Sequence, residues 1–440
     1  MRIPEIRAIL WLLLLWQGAG HSALSRSRPV EYADLAPGTR QILADQGTGA
    51  EQFPELVRLL NRETSIRLSD GESDDLIYFL LQSKSFTPHA RIEPALSAKE
   101  FVQGLAPSVR ARYLAGEAVP DLKAKVPNAV RERIRDFLSA LQRPQADERI
   151  QWFRRTLSHS QRSLEHLSAE YARAMRFLYQ KEFVREGGGS LYQSRGFSSD
   201  TRIESSFAVA TALRVLKALD PRWGINRVLI VGPGLDFAPR TDLTDSYPPQ
   251  SYQPYAVADA LLASGLATQD QLRIDCVDIN ERVIEFFRQF PKRSERRLVL
   301  LRSWEDAEYS EYFRDLGRHI GVERPLSGGK LLFVSQQAAD LVAVRRLNVI
   351  TERYDPPPRY DLIVATNVLV YFGRTELVLA LDNIRSMLTP GGYLIHNELR
   401  PEVEEISTKL DFGPLQGRTI RIGAAPALFD SFVIHRKPVH

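Results

Sequence analysis

Three short stretches of the chain place chemically useful residues where a strand ends. Val228-Leu229-Ile230-Val231 runs into Gly232-Pro233-Gly234-Leu235-Asp236. Glycines at a strand exit let a ligand approach the backbone, and a parallel sheet binds ligands at the carboxyl ends of its strands. Phe237 stands where the third glycine of G-x-G-x-x-G would be, which speaks against a dinucleotide cradle. Arg273-Ile274-Asp275-Cys276-Val277 ends on Asp278, followed by Ile279 and Asn280. A carboxylate there can accept two hydrogen bonds from a ribose diol, or cap the next helix, as Asn280 also can. The polar stretch Pro239–Gln253 lengthens the interval between the two sites and reads as a loop over a pocket. The third stretch is Thr366-Asn367-Val368-Leu369-Val370-Tyr371-Phe372, after the apolar run Tyr360–Ala365.

Other chemistries are excluded or unsupported. Cys276 is the only cysteine, so no intrachain disulfide, cysteine zinc site or iron–sulfur cluster can form. His159 and His166 stand seven apart, two helical turns rather than one, so no metal site is expected. No nucleophile–base constellation is evident. His396 and Glu398 could serve as a base, although His396-Asn397-Glu398 also reads as a polar strand exit; Tyr371 suits a pocket or a core equally. No catalytic residue is assigned from the sequence.

The elements that must position these residues change character along the chain. Residues 26–186 read as a helical domain. Its helices are expected at Phe53–Asn61, Asp75–Leu81, Ala98–Leu105, Ser108–Leu114, Asn128–Leu141 and, as one long helix, Ala146–Phe183. Gly187-Gly188-Gly189 marks a boundary. Over 187–440 apolar strands alternate with helices, which predicts an α/β fold with a mostly parallel, Rossmann-like sheet. Strands are expected at Arg227–Val231, Leu272–Asp278, Arg297–Leu301, Tyr360–Ala365 and Tyr393–His396, with Thr419–Ile422 and Ser431–His435 closing as an antiparallel pair. Ser303–Leu347 reads as an insertion.

Tyr360-Asp361 opening a strand, then a helix, then Pro390-Gly391-Gly392 before Tyr393 resembles strands four and five of class I S-adenosylmethionine-dependent methyltransferases. The run Asn367–Phe372 is similar, more narrowly, to the chemotaxis-receptor (CheR-type) glutamate methyltransferases, as are Gln253-Pro254-Tyr255-Ala256-Val257-Ala258 and Asn348-Val349. The resemblance covers about residues 200–440 and implies S-adenosylmethionine as cofactor and methyl transfer as activity. It implies that Gly232 and Gly234 border the methionine portion and that Asp278 holds the ribose. Asn348, Val349 and Ile279 would surround the adenine, and Asn367 and Val368 would line the transfer site. Two positions depart from the family. Gln253 replaces an acidic residue that touches the cofactor, so the cofactor either does without that partner or finds it in Asp236. Thr366 replaces an arginine. The methyl acceptor is not readable.

Methyl transfer from a sulfonium needs alignment more than acid–base chemistry, and positioning can be worth ~7–11 kcal/mol, so a missing triad does not exclude an enzyme. A second reading is an exported, non-catalytic binding or scaffold module that keeps the fold. It is motivated by Arg2, Arg7 and the apolar run Ala8–Trp16, which predict a signal peptide over residues 1–25 and a periplasmic or extracellular protein, or a cytoplasmic one if the start is misplaced. Nine apolar residues are too few to span a bilayer, which takes ~20, and no later run is longer. The 440 residues carry 58 basic and 54 acidic side chains, a net charge of +4 too mild to indicate a nucleic-acid partner.

Overall fold

The computed structural model describes residues 26–144, 147–184, 191–237, 247–301, 306–355, 357–424 and 427–439. The expected signal peptide and the Gly187–Gly189 boundary lie outside the described residues. No described helix is long and apolar enough to cross a membrane.

Seven strands form the central sheet. The runs Arg227–Val231 (β2), Arg273–Asp278 (β3), Val342–Arg346 (β7), Tyr360–Ala365 (β9) and Leu388–His396 (β10) are parallel. Pro414–Ala424 (β11) and Ala427–Arg436 (β12) complete the order β11-β12-β10-β9-β2-β3-β7, with β12 antiparallel to both its neighbours. Val228, Leu229, Ile230, Leu362, Ile363 and Val364 are fully buried because helices cover both faces, as all-parallel strands require. The chain builds outward from β2 in one direction and from β9 in the other. The crevice between their carboxyl ends is therefore the topological switch point, where such sheets take their ligands.

Two strand assignments exchange roles. Arg297–Leu301 (β4) is a strand as expected, but it joins Gly321–Leu326 (β5) and Gly329–Val334 (β6) in a separate antiparallel sheet. The parallel strand beside β3 is β7, inside the stretch read as an insertion. Its sequence, Val-Ala-Val-Arg-Arg, is short and half polar because it is an edge strand exposed on one side.

The helical residues divide between two cores. Arg26–Pro29 (β1) pairs with Glu352–Asp355 (β8). The helices Pro37–Asp45 (α1) and Phe53–Gln82 (α2) begin against the sheet: Ile42, Leu43, Phe53, Val57 and Leu60 share a core with Leu229, Ile363 and Leu377. The far end of α2, Leu76–Leu81, enters a second core with Phe101, Ile134, Phe137, Phe153, Tyr171 and Met175. One 30-residue helix replaces the two expected. Gly71 does not break it, although a glycine costs a helix interior ~1 kcal/mol. It is needed because a Cβ there would lie 1.9 Å from the Phe197 carbonyl oxygen. Conversely, the single helix expected over Ala146–Phe183 is two, Glu148–Thr156 and Leu164–Phe183. Ser163 Oγ accepts the His166 N–H and starts the second, which the leucine stripe alone does not reveal.

Candidate active site

At the switch point lies a cavity of about 680 Å³, lined by Gly232, Gly234, Asp278, Ile279, Asn348, Val349, Asn367 and Val368 among others. Eight of the nine positions singled out in the sequence thus come together. The ninth does not. Asp236 lies past the bend, where its carboxylate accepts the Tyr252 hydroxyl at 2.5 Å and its N–H donates to the Gln250 carbonyl. Asp236 therefore does not stand in for the acid that Gln253 replaces.

Asp278 sits at the carboxyl end of β3, 9 % exposed. Its Oδ1 accepts the Asn280 N–H at 2.8 Å. Burial pushes the carboxyl up to about 6, against the opposing pull of backbone N–H groups of Asn280, Ile279 and Gly234. Helix capping falls to Asn280, whose Oδ1 accepts the Arg282 N–H, so Asp278 is left to face the cavity. Leu347, Val349 and Ile350 give an apolar wall beside it. A buried acceptor next to an apolar slot suits a nucleoside, whose ribose hydroxyls would donate to the carboxylate while the base lies against the wall. Asn348 has a supporting role: its Oδ1 accepts the Ile350 N–H and its Nδ2 reaches Asn61 Oδ1 at 3.3 Å.

The Gly-Pro-Gly bend is tight for an internal reason. Gly232 and Gly234 have φ of +64° and +63°. A Cβ on Gly234 would meet Thr201 Oγ1 at 2.2 Å and the Ser199 carbonyl at 2.5 Å. The segment 197–201 lies against the bend: Leu235 N donates to Ser199 O, Thr201 N to Leu235 O, and Phe237 N to Asp200 Oδ1. With Thr64 and Leu68 of α2, this segment roofs the cavity. No motif in the sequence marks these roof residues. The signal available was Gly196 with Phe197 between two helical runs, a point where backbone had to pass close to backbone.

Asn367 follows β9 at φ +58°, in the left-handed region that asparagine tolerates. Asn397, at the end of β10, holds it from both sides. Asn397 Oδ1 accepts the Asn367 N–H and Asn397 Nδ2 donates to Asn367 Oδ1, each at 2.8 Å. The two positions that depart from the family touch each other: Gln253 Nε2 donates to Thr366 Oγ1 at 2.5 Å, both buried. Here a neutral hydrogen-bonded pair stands where the resemblance implies an acidic and a basic side chain.

Ser198, Asn367 and Tyr371 also line a second, larger cavity of about 2190 Å³ between the helical core and the sheet edge. Glu398 lines it. His396 does not. Its Nδ1 accepts the Glu398 N–H and its Nε2 meets His435 Nε2 at 2.7 Å, while His435 Nδ1–H donates to Phe412 O. Those partners fix both rings as neutral, with His396 the donor between them. Burial lowers His435 to about 4 and His396 well below its ordinary value. His396 is consequently a strut between β10 and β12 and not a base at the site.

This sheet order and the cavity at its switch point define a Rossmann-like domain. Residues 251–409 match the family model described as the CheR methyltransferase, SAM binding domain, and S-adenosylmethionine is the ligand of that domain. The chemotaxis protein methyltransferase of Escherichia coli (strain K12) is 27% identical over 171 residues, covering 38% of this chain and 53% of that protein. That of Salmonella typhimurium is 29% identical over 150 residues, covering 33% and 47%. The chain spans about half the length of the curated relatives it matches. Among solved structures, the N-methyltransferase NodS from Bradyrhizobium japonicum WM9 with S-adenosyl-L-homocysteine aligns at 15% identity and TM-score 0.29, over 53% of this chain and 88% of that one.

Proposed function

We propose that the chain is an S-adenosylmethionine-dependent methyltransferase that binds its donor in the smaller cavity and its acceptor in the larger one. The observation that carries this reading is their junction at Ser198, Asn367 and Tyr371. A methyl donor and an acceptor must meet within a few ångströms, and among the described residues the two cavities share a wall only there. Asp278 holds the ribose hydroxyls, Val349 and Ile279 pack against the base, and Gly232 and Gly234 leave room for the methionine end. When bound, S-adenosylmethionine supplies an activated methyl group. The chain supplies alignment, which can be worth ~7–11 kcal/mol of the barrier in a displacement of this kind. Asn397 is a positioning residue, since it locks the strained Asn367 backbone at the junction. Export through residues 1–25 belongs to the same proposal and is tested by N-terminal sequencing of the fractionated protein.

Calorimetry with S-adenosylhomocysteine and, separately, NAD tests the donor site. Micromolar affinity for the first, none for the second, and a loss of ~10–100-fold in Asp278→Ala are expected, the range for removing a charged hydrogen-bond acceptor. Affinity unchanged in Asp278→Ala would overturn the assignment.

A further inference from the structure

The larger cavity carries seven carboxylate side chains against three cationic ones among its described lining residues. Each of those cations is already engaged by a carboxylate. Arg195 Nε reaches Asp74 Oδ2 at 3.3 Å with its guanidinium over the Phe177 ring, Lys181 pairs with Glu182 at 3.1 Å, and Arg202 lies 3.9 Å from Asp200. The cavity therefore presents excess negative charge to whatever enters it.

Two carboxylates lie close to the junction residues, one beside Ser198 and one beside Asn397. Asp75, on α2, accepts the Ser198 hydroxyl on Oδ1 at 2.9 Å. It is 4 % exposed, and its Oδ2 has no hydrogen-bond partner among the described residues. A buried carboxylate oxygen left unmatched beside a cavity costs free energy unless a ligand supplies the donor. Asp430 accepts Asn397 Nδ2 at 3.5 Å, and Asn397 holds Asn367. Burial raises both acids, Asp430 to about 6, and at Asp75 the neighbouring Asp200 adds to the effect.

Resting on the donor assignment above, we propose that the acceptor is an amine, held as its ammonium ion by Asp75 and Asp430 at the junction, and not a carboxylate. A carboxylate substrate entering this cavity would meet like charge with no unengaged cation among the described lining residues to receive it. The ammonium first passes a proton to Asp75 or Asp430, which exposes the nitrogen lone pair. That pair forms the N–C bond to the methyl group as the S–C bond breaks and its electrons return to sulfur. The products are an N-methylammonium ion, S-adenosylhomocysteine and a protonated carboxyl that later releases its proton to water. The walls Tyr78, Phe177 and Phe237 suit an amine with an apolar body.

The full chain, saturated with S-adenosylhomocysteine, is titrated calorimetrically with tryptamine and with indole-3-propionate, two probes of similar size and opposite charge. At least tenfold tighter binding of the amine is expected, with that preference lost in Asp75→Asn and in Asp430→Asn while S-adenosylhomocysteine affinity stays within twofold. Labelled methyl transfer into a cleared lysate is then followed by alkali. Label that survives as a base-stable, cation-exchange-retained product supports the proposal, and its presence in the low-mass filtrate or the protein fraction separates a free amine from a lysine side chain. Equal or reversed preference between the probes, absence of binding by both included, overturns it, as does label released by base as methanol. Failure of S-adenosylhomocysteine itself to bind is the separate result that would sink the donor assignment.

Discussion

The two cavities that meet at Asn367 differ in how they are made. Below its roof the smaller one is built from residues at the ends of adjacent parallel strands, so most of its parts lie in short local motifs, and Asp278 is the one ionisable carboxylate among its described lining residues. The larger one is collected from α2, the segment 195–205, the turn after β10 and the β12 strand, and it is rich in acid. A site that recognises a fixed ligand can be inherited with the sheet. A site that chooses among acceptors sits on the surfaces between modules, where side chains change without disturbing the fold.

The strongest way to break this contrast lies at Gln253, behind the smaller cavity. Gln253→Glu would bury a carboxylate whose neighbour Thr366 offers one hydroxyl and no charge. We expect a loss of about 3–5 kcal/mol in denaturant unfolding, against about 1 kcal/mol for Thr366→Val. Equal costs would show that the pair is not a coupled replacement. Next, Gly234→Ala should cost about 3 kcal/mol, because positive φ and the clash with Thr201 add together. Gly265→Ala, at the same φ but with nothing within 4 Å, should cost only about 1 kcal/mol. Similar melting shifts for the two would mean that the segment 197–201 yields readily.

Titration sharpens the comparison further. Asp278 holds its proton up to about pH 6 in the free protein, whereas hydroxyl donors favour the carboxylate. Affinity for S-adenosylhomocysteine should therefore weaken about tenfold between pH 7.5 and 5, read by calorimetry, and Asp278→Ala should flatten the profile. The smallest effect belongs to the histidine strut. The folded value of His435, about 4, lies below its ordinary 6.5, so the unfolded chain binds the extra proton. That stability is present above pH 6.5 and lost as pH falls toward 4. It should amount to about 1 kcal/mol between pH 7 and 5.5, measured by urea melts, with the slope reduced in His435→Phe.

Legibility in the sequence divides along the same line. Gly232, Asp278 and Asn367 stood out because a parallel strand buried on both faces is an apolar run, and the residues just past its carboxyl end form the ligand edge. Asp236 misled because it shares the motif but faces Tyr252 after the bend. Arg297–Leu301 is more strand-like than Val342–Arg346, yet an exposed edge position tolerates Arg345 and Arg346, so the strand beside β3 lies within a stretch that reads as an insertion. Asp75 was hidden at the start of an apolar helical run. Its trace in the sequence is the acid pair Asp74-Asp75 directly ahead of the apolar run Leu76–Leu81. Ser198 and Asp430 come from segments whose proximity only the folded chain creates.

The long helix that leaves the sheet core at Leu60 and enters the helical core at Leu76 binds the fate of the two halves together. Melting either core strips apolar partners from the other end of the same rod, and an isolated amphipathic half-helix is marginal in water. Heat should accordingly erase both halves in a single calorimetric transition, and a fragment cut at the start of the sheet would lose the side chains that cover β2 and β9. The donor domain is not free-standing: its lid and part of its foundation are the same helix.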